Sequence, residues 1–437
     1  MTSPMVQKAS EFQRALRAYE NATGQLPLLW LLVALLNFGT QAVLFYEMVR
    51  PGRDPGEFGI FNAALGIIGA LTVPAVALPL SFRSFFLRSQ STRLDALRAS
   101  PLIFTETFTW LWAVGCVVLM ALPIPMLLPA LPRFSLEIFA LINVLLLLGA
   151  VISGTACAEA NQGRLWALLL VSAGLVRLAL GGWVTVYQPS AEAALAAYVA
   201  GGFILLAPAL RPREVTFTER FRVLAAALDR TFLRHAGATL CVLGGLYLFT
   251  NADRITALDW RFVKVNGQAM PDAPLRHVLD VYQATGLLAR GLLWGTQPLL
   301  WVMYMERSVL EKTRASSLRF FWIYLGALLA GVFALGALAH FGAFDGVLGP
   351  IAGSLGPTFA AAMIPLGLLQ GLGIFALASR RLPECYLIGA LGVIYTIVVE
   401  IVGDRPQTML AYMFGAAVIA LMMVLLVGVS RYARKSP

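Results

Sequence analysis

Apolar runs, each closed by a short polar or charged segment, recur along nearly the whole chain. A run of roughly 18 or more apolar residues is long enough to cross the hydrocarbon layer as a helix. Read at that length, the pattern predicts about twelve spans. They lie near 27–48, 58–82, 104–129, 135–157, 165–186, 191–210, 236–258, 278–304, 320–341, 355–378, 385–403 and 407–429. The fold class predicted is all-α, a polytopic membrane protein. The longest polar connection, 211–235, falls between the sixth and seventh spans and divides the chain into an N-lobe over 27–210 and a C-lobe over 236–430.

That connection has a pattern of its own. Phe217, Phe221, Leu224, Leu228 and Phe232 recur at near-helical spacing among Arg220, Arg222, Asp229 and Arg230. Thr216 followed by Glu219 has the form of a capping box. An amphipathic helix lying in the headgroup layer is expected, drawn there by its apolar stripe and by anionic lipids. Residues 1–26 carry a weaker version (Phe12, Leu16 and Tyr19 against Arg14 and Arg17) and contain no apolar core of the kind a cleavable signal peptide needs. Residues 431–437 form a basic tail.

Composition agrees with the pattern: 59% of residues are hydrophobic, 13% are charged, and the mean hydropathy of +0.77 excludes an ordinary soluble domain. The net charge of +10 needs another reading. If the N-terminus is cytoplasmic, basic residues favour the cytoplasmic connections by about three to one. That asymmetry places both termini in the cytoplasm, the membrane being read as a bacterial plasma (inner) membrane, and removes any need for nucleic acid as a partner, since no basic patch is interleaved with aromatics on a soluble domain. Cys116, Cys157, Cys241 and Cys385 all fall in or beside apolar spans and read as small core residues rather than a disulfide framework or a metal site.

The two halves share a local pattern. Phe61-Asn62-Ala63 in the second span matches Tyr282-Gln283-Ala284 in the eighth, and both segments continue through small residues to a proline (Pro74; Pro298) and a basic residue at the cytoplasmic exit. Six spans per half is an even number, so equivalent spans run the same way. The repeat expected is parallel, about an axis normal to the membrane.

Candidate chemistry sits inside the spans. Arg177 and Arg290 fall near the middle of the fifth and eighth. A charge at the bilayer centre costs between about 2.5 and about 17 kcal/mol, so such residues face a bundle interior or a wet cavity. Around Arg290 the helical neighbours are Gly286, Leu287, Leu293 and Trp294, which offer no local acid. Both arginines are candidates for holding an anionic group through guanidinium forks; pairing with a buried carboxylate is the structural alternative. Asn37 and Gln41 share one face of the first span, and with Asn62, Gln283 and Gln297 they are candidate cavity residues for sugar hydroxyls. Asp253 and Arg254 are candidates for a coupling carboxylate with its partner or for a gate ion pair, and Glu106 and Glu400 for proton or cation sites. Pro74, Pro79, Pro298 and Pro365 offer bending points. His340 stands alone at a span end.

At these residues the chain resembles a known family. The segment PGRDPGEFGIFNAALGIIGALTVPAVALPLSFR (51–83), the Asn251-Ala252-Asp253-Arg254 stretch of the seventh span, and VYQATGLLARGLLWGTQPLLWVMYMER (281–307) are similar to the polysaccharide transporters. These belong to the multidrug/oligosaccharidyl-lipid/polysaccharide exporter superfamily. The resemblance implies two six-helix lobes around a central cavity that opens alternately to the two membrane faces. It also implies a polyprenyl-pyrophosphate-linked glycan as cargo, with cavity basic residues on the phosphates. By position Arg290 matches that role best, and Arg177 is compatible in place. The roughly twenty residues over 259–278 exceed the turn common in that family.

Enzyme readings lack their motifs. The chain has no Asp-x-x-x-Asp pair on a cytoplasmic loop, no His-Glu-x-x-His and no Gly-x-x-x-x-Gly-Lys loop. The function expected is a flippase or exporter for an anionic lipid-linked oligosaccharide or polysaccharide precursor, with membrane lipids and polysaccharide assembly proteins as partners. No cofactor is expected, with H⁺ or Na⁺ as the coupling ion if one is used. A cation-coupled multidrug antiporter of the same superfamily is the alternative, and a membrane scaffold or glycan-assembly enzyme the second.

Overall fold

A computed structural model describes residues 27–50, 53–86, 101–121, 131, 133–160, 162–210, 216–227, 230–258, 262–265, 268–271, 273–308, 314–342, 350–403 and 405–433. The N-terminal segment 1–26 and most of the tail 431–437 lie outside them. Six helices precede the central connection: α1 (Pro27–Met48), α2 (Glu57–Phe86), α3 (Pro101–Ala121), α4 (Phe134–Glu159), α5 (Gly163–Tyr187) and α6 (Ala191–Ile204). The connection contains α7 (Phe217–Ala227). Six more follow: α8 (Arg230–Thr256), α9 (Ala273–Ser308), α10 (Arg314–His340), α11 (Pro350–Ala378), α12 (Leu382–Val402) and α13 (Pro406–Ala433). A small antiparallel hairpin, β1 (Phe262–Val265) on β2 (Gln268–Pro271), lies between α8 and α9, within the stretch expected to be a long external loop.

The twelve expected spans are α1–α6 and α8–α13. Among the described residues nine of these helices are long and apolar enough to cross a membrane on composition alone. Two of the remaining spans are short of the criterion for visible reasons. At 36 residues α9 carries Arg276, His277, Asp280 and Arg290. The helix α6 has only 14 residues and gives way to turns over 205–210, where Pro208 lacks the N–H a continuing helix needs. The sixth span is thus shorter as a helix than 191–210.

Helix neighbours repeat with the lobes. The pairs α1·α5, α2·α4, α2·α3, α3·α4, α4·α6 and α5·α6 recur as α8·α12, α9·α11, α9·α10, α10·α11, α11·α13 and α12·α13. Contacts between lobes obey the same exchange: α2 packs on α8, and α9 packs on α1. Swapping the lobes converts one contact into the other, as a two-fold axis requires.

Small residues set the closest approaches. A Cβ on Gly245 of α8 would stand 2.5 Å from the Ile388 carbonyl oxygen of α12, and one on Gly392 would stand 2.6 Å from the Gly245 Cα. Backbones this close are the usual basis of helix association in lipid, where apolar burial from water contributes little. The C-lobe core gathers side chains such as Phe249, Phe320, Phe359 and Leu369. The N-lobe core gathers Leu44, Phe58, Phe61 and Leu148, together with Val281, Ala284 and Leu287 of α9. One face of α9 therefore packs into the opposite lobe while Tyr282, Ala289 and Leu293 pack into its own.

At the end of the bundle that carries α7, Val223 of α7 joins Phe82, Phe104 and Phe232 in an aromatic cluster spanning both lobes. The expected capping box is present: Thr216 N–H donates to Glu219 Oε2 at 2.9 Å and Glu219 N–H to Thr216 Oγ1 at 3.3 Å. Those bonds from the Thr216 backbone and hydroxyl hold the Glu219 carboxyl below its ordinary range.

Candidate functional site

The helix α9 places two neighbouring polar residues, Tyr282 and Gln283, and about two turns further on Arg290, against the last turns of α8. There the run Asn251-Ala252-Asp253-Arg254 turns its polar side chains two ways. Asp253 points into the C-lobe and Arg254 toward the N-lobe.

Within the C-lobe Asp253 is fully buried and its Oδ2 accepts from both the Tyr282 hydroxyl, at 2.7 Å, and Arg290 Nη2 in a short ion pair. Arg290 Nε donates to the Thr250 carbonyl at 2.6 Å, and the guanidinium faces the Phe359 ring at 5.6 Å. Arg290 is fully buried, and its Nη1 and Asp253 Oδ1 are left without hydrogen-bond partners. Two expectations are corrected here. Arg290 is engaged by a carboxylate 37 residues away in sequence, outside any search of its helical neighbours. Asp253 and Arg254 are not a pair with one another, because adjacent residues on a helix diverge by about 100°.

Arg254 crosses the lobe interface. It is 4% exposed, and its Nη2 donates to the Asn62 carbonyl at 2.8 Å and to Asn62 Oδ1 at 2.9 Å, while Nη1 donates to Asn251 Oδ1 at 2.9 Å. Gln283 Nε2 donates to the Arg254 carbonyl at 2.9 Å. The repeat-matched residues Asn62 and Gln283 thus converge on one arginine. Among the described residues no carboxylate lies within ion-pair distance of its guanidinium.

The N-lobe holds a second polar group. Arg177 of α5 lies across Gly201 of α6, where a Cβ would meet its Cγ at 2.5 Å. Its guanidinium stands over the Tyr198 ring at 5.0 Å. The Tyr198 hydroxyl lies within reach of the Gln41 side chain, and beside them buried polar atoms gather without hydrogen-bond partners: Arg177 Nε and Asn37 Oδ1. Gln283 Oε1 across the interface is in the same condition. Orphaned groups of this kind are uncommon in folded proteins and mark places where water or a ligand completes the bonding. Tyr198 also lies within electrostatic reach of Arg254, which links the two polar groups.

Other residues expected at the site lie elsewhere. Glu106 pairs with Arg220 of α7 at 3.3 Å. Glu400 is exposed at the end of α12 and accepts from the Thr256 hydroxyl at 2.8 Å. Gln297 is half-buried on α9, about two turns beyond Arg290. His340 is exposed beside Phe341. Tyr198 was missed, since a tyrosine in an alanine-rich span has no charge or spacing to single it out. Asp280 was missed as well. This buried α9 carboxylate accepts from the Gly56 and Gly59 N–H groups at 2.7 and 2.8 Å, capping the start of α2 from the opposite lobe. Inside the N-lobe, Glu57 makes a similar contact, accepting from Ala191 N–H of α6 at 2.9 Å and from Arg133 at 2.6 Å.

No protein-family model matches the chain, and no curated protein matches it in sequence. Solved structures do match its fold over nearly its full length. A MATE transporter in the bent conformation is 12% identical with a TM-score of 0.57, covering 99% of this chain and 98% of its own. An inward-facing multidrug resistance MATE family transporter of the MOP superfamily is 13% identical with a TM-score of 0.54, covering 94% and 100%. A MOP superfamily transporter from Pyrococcus furiosus, described as having a binding pocket of reverse polarity that suggests a different function, is 11% identical with a TM-score of 0.55, covering 96% of each chain. The chain therefore shares the two-lobed helical fold of these structures.

Proposed function

We propose that this protein is an alternating-access transporter whose cargo carries an anionic group. One observation carries the reading: among the described residues the polar centre sets Arg177, Arg254 and Arg290 against one carboxylate, that of Asp253, and Arg290 is already paired with it. Arg177 and Arg254 are left to neutral partners. A buried cation held only by neutral groups gains from a phosphate or carboxylate, whose charge-assisted, bidentate hydrogen bonds are roughly twice as strong as neutral ones. An anionic headgroup arriving between the lobes therefore competes with Asn62 for Arg254 and loosens α8 from α2. Asn37, Gln41 and Tyr198 supply further polar atoms for the rest of the headgroup. An anionic lipid-linked oligosaccharide or polysaccharide precursor fits this chemistry, its tail remaining in lipid. The setting proposed is a bacterial plasma membrane with the α7 end in the cytoplasm, supported by the basic residues crowding that end.

A second reading is favoured by the comparisons themselves: multidrug transporters share the fold. A cation-coupled drug antiporter needs a carboxylate free to exchange H⁺ or Na⁺, and Asp253 is the carboxylate at the centre. Reconstitution in liposomes separates the two. Translocation of a fluorescent anionic lipid should occur, and Arg177→Gln and Arg254→Gln should each slow it at least about tenfold, equivalent to about 1.4 kcal/mol, with protein correctly inserted. Exchange of a cationic dye for protons, unchanged in both variants, decides for the antiporter.

A further inference from the structure

A second cleft lies in the C-lobe, at the α7 end and away from the polar centre, between α10, α11, α12 and α13. It measures about 380 Å³, within the size range of small-molecule sites. Its walls are apolar: Phe321, Leu372, Phe375 and Val424 line it, with the exposed Leu425 and Val429 at its mouth on the outer face of α13. Two ionisable residues border it, Arg381 and Glu384. Glu384 is 2% exposed and engaged in a polar interaction of its own. Arg381 is half-buried, its guanidinium lies over the Phe375 ring at 5.8 Å, and among the described residues no carboxylate lies within ion-pair distance of it. The exposed Arg380 stands beside it in a tight turn between α11 and α12, with φ of 54°.

From this arrangement we infer a site for an anionic phospholipid of the surrounding bilayer, one acyl chain in the cleft and its phosphate on Arg381. Three features converge on that occupant. The cleft opens on the outer face of the bundle, through residues that face hydrocarbon. The basic pair Arg380–Arg381 sits where the helices end, at the level of the headgroups, and a basic residue near that surface favours anionic lipid. The arginine stem and ring stack bury apolar surface while the cationic tip reaches the phosphate, the geometry by which long basic side chains snorkel. Two of the helices that close the cleft, α10 and α11, also pack on α9, so an occupied cleft braces the lobe that carries Asp253 and Arg290. The inference is independent of what the polar centre transports.

Native mass spectrometry of the full chain in detergent tests it, with phosphatidylglycerol and phosphatidylcholine of matched chains added in parallel and the melting temperature followed in each. Phosphatidylglycerol should bind at least about tenfold more tightly, a difference of about 1.4 kcal/mol, and should raise the melting temperature where phosphatidylcholine does not. Arg381→Gln should abolish the preference for phosphatidylglycerol, and Gly428→Trp, which fills the cleft, should remove binding of both lipids. Inorganic phosphate should not substitute. Equal binding of the two lipids, unaltered preference in Arg381→Gln, or unaltered binding in a folded Gly428→Trp protein would overturn the inference, as would stabilisation by inorganic phosphate alone.

Discussion

Arg290 shows how much a single residue's role depends on neighbours that only the fold supplies. Its position in the middle of an apolar span requires a partner or a wet cavity, and the sequence around it provides neither. The partner is Asp253, delivered from α8 together with the Tyr282 hydroxyl and the Thr250 carbonyl. Removing one member of a buried pair strands the other and costs about 3–5 kcal/mol, whereas replacing both with neutral groups is often close to neutral. Arg290→Gln and Asp253→Asn should therefore each lower the thermal unfolding temperature in detergent strongly, and the double variant should recover most of the loss. A coupling carboxylate behaves differently, because Asp253→Asn/Arg290→Gln would then fold well yet lose ion-driven transport. The double variant keeping transport supports the structural role of this pair and leaves Arg254 and Arg177 as the cargo-facing charges. That an arginine in the middle of a span needs a partner was legible from the sequence; which partner Arg290 takes was not, because Asp253 and Arg290 meet only where α8 and α9 come together.

At the scale of elements, hydropathy located helices well and their pairing poorly. Twelve expected spans correspond to twelve helices, because in lipid a helix is one of the few ways to satisfy every backbone group within its own segment. Length went astray at α6, where Pro208 and the Gly201-Gly202 pair shorten the helix within an apolar run. Which helices touch is set by small residues rather than by hydropathy, and no apolar pattern ranks Gly245, Gly389 and Gly392 above the other glycines of the chain. Their role follows from distance: Gly389 meets Cys241, and Gly392 meets Gly245, with no room for a Cβ between them. A larger residue must push α12 off α8 along its length. Gly392→Val should cost more stability than Gly415→Val, since a Cβ at Gly415 meets nothing within 4 Å. Measuring the melting temperatures of the two variants side by side checks this, and equal losses would mean that the close approach is not what binds these helices. Glu106, expected as an ion site, instead anchors α7 to α3 through Arg220, so the connection between the lobes is fixed to the bundle by charge as well as by its apolar stripe.

For the molecule as a whole, the alternating access proposed above requires that contacts between lobes be strong enough to hold one state and few enough to release. At the end carrying the β-hairpin the contacts come from α9: Leu279 covers Gly59, and the buried Asp280 carboxylate receives two N–H groups from the start of α2. A helix N-terminus leaves its first N–H groups without partners and bears partial positive charge. A carboxylate from the other lobe satisfies both needs at once, and neither is met if the lobes part there without water taking its place. Further along the same interface Tyr247 donates to the Gly66 carbonyl at 2.7 Å, and near the α7 end Ser81 donates to Thr239 at 2.6 Å. Those two bonds are neutral, and the Arg254–Asn62 contact lies at the polar centre, so the Asp280 clasp is the charged contact at the hairpin end, and its loss should shift the balance between states. Asp280→Asn keeps the size but lacks the charge and can accept with one oxygen only. The closed arrangement at that end should therefore become less populated, and spin labels at Arg53 and His277 should report a longer, broader distance distribution by pulsed electron resonance. Labels at the opposite end, on Arg234 and Arg380 within the C-lobe, should be unaffected, which separates a shift of the lobes from a general loss of structure. Distances between Arg53 and His277 that stay as short in Asp280→Asn as in the parent protein would show that apolar packing of α9 in the N-lobe, through Val281, Ala284 and Leu287, holds this end shut without the clasp.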